Sequence, residues 1–125
     1  MAFQTGTVNH SIELLDTFRV FLVAQGWVID STQDIPEGKL LHISKENHFM
    51  HFRAVNEPPS NNFYRYQANS IAMVMSDAAD TTTEFQKLNT NTKQIPIIDT
   101  IQKGPFRYWF FHLENPLVVF CILEY

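Results

Sequence analysis

The sequence predicts an α+β fold: an N-terminal amphipathic helix packed on a mainly antiparallel β-sheet, in one domain spanning 1–125. Three observations predict it. Leu14, Leu15, Phe18, Phe21 and Leu22 recur at helical spacing and make one apolar stripe. Six runs, near 27–29, 39–44, 48–55, 63–75, 106–113 and 117–124, alternate or are rich in strand-forming residues. Short polar turns, Lys45-Glu46-Asn47 and Glu114-Asn115-Pro116, separate two pairs of these runs at hairpin distance.

The helix is expected over about 9–25. Asn9 or Ser11 can cap its start, Glu13 and Asp16 suit the positive end of the helix dipole, and Gly26 stands where a left-handed residue closes a helix. Ile12, Val20 and Val23 lie off the main stripe. A helix on the surface of an isolated monomer should be polar there, so this second stripe is expected to face a partner, with Asp16 and Arg19 at the rim. Trp27-Val28-Ile29 reads as a strand entered from the helix, and Asp30 to Gly38 as a turn punctuated by Pro36 and Gly38.

Leu41 and Ile43, then Met50, Phe52 and Ala54, mark one face of an antiparallel hairpin. Glu57-Pro58-Pro59 ends it, because paired prolines cannot continue a ladder. Phe63 to Met75 is again β-prone, with a bulge or break at Ala68-Asn69-Ser70. Residues 77–103 form a polar connection, with one or two helical turns around Thr83 to Leu88 and Ile95-Pro96-Ile97-Ile98 as a short edge strand or an anchor. The last hairpin has two apolar faces: Tyr108 and Phe110 oppose Trp109, Phe111 and Leu113, and Val119 and Cys121 oppose Val118, Phe120 and Ile122. Such strands are covered on both sides, so this hairpin is expected at the centre of the sheet. Trp109→Ala should then empty a core site and cost about 3–5 kcal/mol.

Composition narrows function. With 45% hydrophobic residues and 18% charged, the chain is globular, and the aromatic set of eleven Phe, four Tyr and two Trp suits cores and protein interfaces. Nine basic residues, scattered, stand against thirteen acidic ones, which leaves no nucleic-acid footprint. No apolar run reaches membrane-spanning length and the N-terminus has no signal-like segment, so no membrane partner and no secretion are expected. Cys121, the single cysteine, lies in an apolar strand and reads as a small buried hydrophobe in a reducing cytoplasm.

Chemistry-bearing patterns are sparse. His48-x-x-His51 on a strand points its two rings to opposite faces, so the pair cannot share a metal. Asp77-x-x-Asp80 lacks the spacing and glycine of a calcium loop. Cys121 has no local base, there is no nucleophile elbow, and Gly6, Gly26, Gly38 and Gly104 cannot make a phosphate-binding loop. The expectation is no catalytic residue, no metal and no cofactor. The aromatics Trp27, Tyr108, Trp109, Phe110 and Phe111 are then core or interface residues.

Two stretches carry a resemblance. The first runs from Gly6-Thr7 through Ile12-Glu13-Leu14-Leu15-Asp16 and Phe21-Leu22 to Gly26-Trp27-Val28. The second is Gly104-Pro105-Phe106-Arg107-Tyr108-Trp109-Phe110-Phe111, followed by Pro116-Leu117-Val118-Val119-Phe120. In order and spacing they resemble small virion structural proteins of tailed, mainly contractile-tailed, bacteriophages, over somewhat under half the chain. The resemblance implies a tail or baseplate component that assembles with other virion proteins and with copies of itself, after synthesis in the host cytoplasm. It brings no catalytic residues. The alternatives are a peptide- or ligand-binding module with an aromatic groove between helix and sheet, and a small enzyme.

Overall fold

The computed structural model describes residues 1–36, 38–55, 70–76, 97–100 and 105–124. These described residues form one helix and eight strands, broadly α+β and mainly β. A strand precedes the helix: β1 (Ala2–Val8) pairs antiparallel with β7 (Phe106–Leu113), whose other edge carries β8 (Val118–Glu124). β1 alternates exposed Phe3, Thr5 and Thr7 with less exposed neighbours and ends on buried Val8. Its largest apolar side chain, Phe3, is exposed, which hides the strand from a search for buried alternation. Gly6 fits because Tyr108 lies over it: a Cβ there would sit 2.6 Å from the phenol oxygen.

The helix α1 (Ser11–Ala24) buries Leu14, Leu15, Phe18, Phe21 and Leu22 as its spacing requires. Its cap is His10, where Asn9 or Ser11 was expected. The Glu13 N–H donates to Nδ1 of His10 at 3.2 Å, and the Glu13 carboxylate reaches back to accept from the Asn9 N–H at 3.0 Å. This reciprocal arrangement satisfies donors at the helix start in the manner of a capping box. Ser11, freed from capping, donates its hydroxyl to the Val55 carbonyl at 2.8 Å. At the other end Gly26 has φ +94°, and the Gly26 and Trp27 N–H groups donate to the Val23 and Leu22 carbonyls. Glycine takes that conformation without steric cost.

The second sheet has five strands in the order β2 (Val28–Ile35), β3 (Gly38–Lys45), β4 (His48–Val55), β5 (Ser70–Ser76) and β6 (Ile97–Thr100), each antiparallel to its neighbours. Phe18 joins the two sheets: its ring lies 4.6 Å from that of Phe110 on β7 and 5.7 Å, edge-on, from that of Phe52 on β4. Each such ring contributes about 1.5–3 kcal/mol by leaving water.

Several expectations need correction. The helix is the second element, and the described residues form two sheets where one was expected. The segment read as a turn after Ile29 continues as strand to Ile35, with a register shift between Ile29 and Ser31. It is an edge strand exposed along nearly its whole length, so its polar residues carry no alternation to read. The connection over 77–103 contains β6, an edge strand at 97–100. The rest of that connection, including the turns around Thr83, and residues 63–69 of the β-prone run lie outside the described residues. The last hairpin is not the centre of a large sheet: β7 is central in three strands and β8 is at its edge.

Candidate functional site

Strand β7 buries Phe106, Tyr108, Phe110 and His112 on one face. The other face forms apolar rows across the small sheet. Phe3, Phe111 and Phe120 stand in register, with the Phe3 and Phe111 rings 5.1 Å apart, and Trp109 stands beside Ile122 with the Arg107 guanidinium 5.2 Å from an indole ring. Phe3 is 53% exposed, Phe120 and Ile122 are each 52%, and Leu113 is 37%. Charge enters this face where Arg107 opposes Glu124. Among the described residues, α1 covers one face of this hairpin, and Phe3, Phe120 and Ile122 leave the other exposed.

A second apolar feature lies between the sheets. A cavity of about 500 Å³ has Leu117, Val119, Cys121 and Leu123 on the β8 side and Met50, Phe52, Met73 and Met75 on the β4–β5 side, with Phe18, Trp27 and His48 also lining it. Cys121 is exposed beside this opening, against the expectation of a buried residue, because β8 is an edge strand.

Histidine provides the polar structure. The Trp27 indole N–H donates to Nε2 of His112 at 3.1 Å. Burial, then the nearby Lys45 charge, holds the His112 imidazole below its ordinary 6.5, against an opposing pull from Glu114. Lys45 donates to the Gln25 carbonyl at 2.5 Å, covering the end of α1, and also to the Glu114 carboxylate. That hydrogen bond, with the Lys45 charge, keeps Glu114 below its usual carboxylate range.

On the opposite face of the five-stranded sheet, Nδ1 of His42 lies 2.6 Å from Nδ1 of His51, and Nε2 of His51 lies 2.5 Å from the Ser76 hydroxyl. One proton sits between the two imidazoles, so one ring donates and the other accepts. The order serine, imidazole, imidazole has the connectivity of an activated nucleophile. Burial argues against that use: Ser76 is 4% exposed, His42 2% and His51 1%, which leaves a substrate no approach. The cluster ties β3, β4 and β5 together. Sequence reading missed it because His42 and His51 meet only through the register of β3 on β4.

The expected partner-facing residues divide. Val20 is 58% exposed and Val23 43%, and exposed Val28 and Ile29 occur on β2. Ile12 packs, partly buried, against the chain's own core. Asp16 accepts from Lys39 at 3.0 Å as well as pairing with Arg19 at 3.8 Å, so it anchors α1 to β3. Of the aromatics, Trp27, Tyr108 and Phe110 are core, while Trp109 and Phe111 are half-buried on the outer face. Among the described residues, no three His, Cys, Asp or Glu side chains group as metal ligands and no helix is long and apolar enough to cross a membrane. The chain matches no family model, no curated protein and no solved structure.

Proposed function

We propose that the chain is an assembly protein, a structural component of a bacteriophage tail or baseplate that binds other virion proteins or copies of itself through the outer face of its three-stranded sheet. The observation that carries this reading is the set of in-register apolar rows built on Phe3, Phe111 and Phe120 and on Trp109 and Ile122, open to solvent on one face. Contiguous exposed apolar surface of this kind marks interaction sites, and aromatic side chains dominate binding energy at such sites. Strand β8 adds an edge with no neighbour beyond it among the described residues. Its Val118-Val119-Phe120-Cys121-Ile122-Leu123 run contains no charge or proline to block strand addition. The resemblance of the helix and hairpin segments to virion proteins supports the tail or baseplate and production in the host cytoplasm.

The test is mass spectrometry of purified tailed particles, with the chain expected in stoichiometric amount. A Phe120→Lys, Ile122→Lys double variant should fold, as judged by an unchanged unfolding midpoint, yet be depleted from particles. Normal incorporation of that variant would sink the assignment of this face.

A further inference from the structure

We draw no further inference here: the strongest candidate, the apolar cavity between β8 and the β4–β5 face, lined by Leu117, Val119, Leu123, Met50, Met73 and Met75, carries nothing because nothing in the structure shows what covers it.

Discussion

The Trp27 indole and the His112 imidazole are hydrogen-bonded across 85 residues of sequence, joining the end of the helix turn to the central strand of the small sheet. Because Trp27 can only donate, His112 must present an unprotonated Nε2. A protonated ring would have hydrogens on both nitrogens and would lose the bond. This is the same direction in which burial and Lys45 shift its titration.

Stability should therefore fall in mild acid. The unfolded imidazole titrates near 6.5 and the folded one lower, so between those values the unfolded chain binds more protons. The contribution is complete above 6.5, is lost as pH falls through the window below it, and levels off beneath the folded value. Urea midpoints at about pH 7.5 and about pH 5.5 should differ in the wild type and differ less in His112→Gln, which has no proton to gain. Equal differences in the two proteins would refute the assignment. Trp27→Phe should cost about 1–3 kcal/mol at neutral pH by leaving a buried acceptor without its donor.

Adjacent aromatics on β7 should behave differently. Phe110 is fully buried against Phe18, Phe21 and Tyr108, so Phe110→Ala should cost about 3–5 kcal/mol. Trp109 was expected at that cost from sequence, but it is half-buried on the open face. Trp109→Ala should cost about 1 kcal/mol in the isolated chain, in the usual range for a partly exposed position. Denaturant unfolding of both variants checks the contrast, and similar losses would mean that the outer face is covered.

The helix surface makes a separate prediction. Val20→Asp with Val23→Lys places charge where both side chains already meet solvent, so the monomer should unfold within about 0.5 kcal/mol of the wild type. If α1 contributes to assembly beside the sheet face, this variant should enter particles in reduced amount. Normal copy number would confine the interface to β1, β7 and β8.

The sequence by itself determined the elements whose signals are local. Leu14, Leu15, Phe18, Phe21 and Leu22 define the buried side of α1 because a helix repeats every 3.6 residues, and Gly26 ends it because a left-handed residue is needed there. The β3–β4 and β7–β8 hairpins follow from alternation and short turns. Nothing local distinguishes Ala2–Val8 or the polar half of β2, which are strands because a neighbour supplies the ladder. Cross-strand register also lies beyond sequence reading, so the meeting of His42, His51 and Ser76 and the bond from Trp27 to His112 appear only in three dimensions. Covering is the last such decision. Sequence shows that both faces of the final hairpin are apolar, but α1 can cover only one of them, and the tertiary structure decides that Phe110 goes to the core while Phe3, Phe120 and Ile122 face solvent.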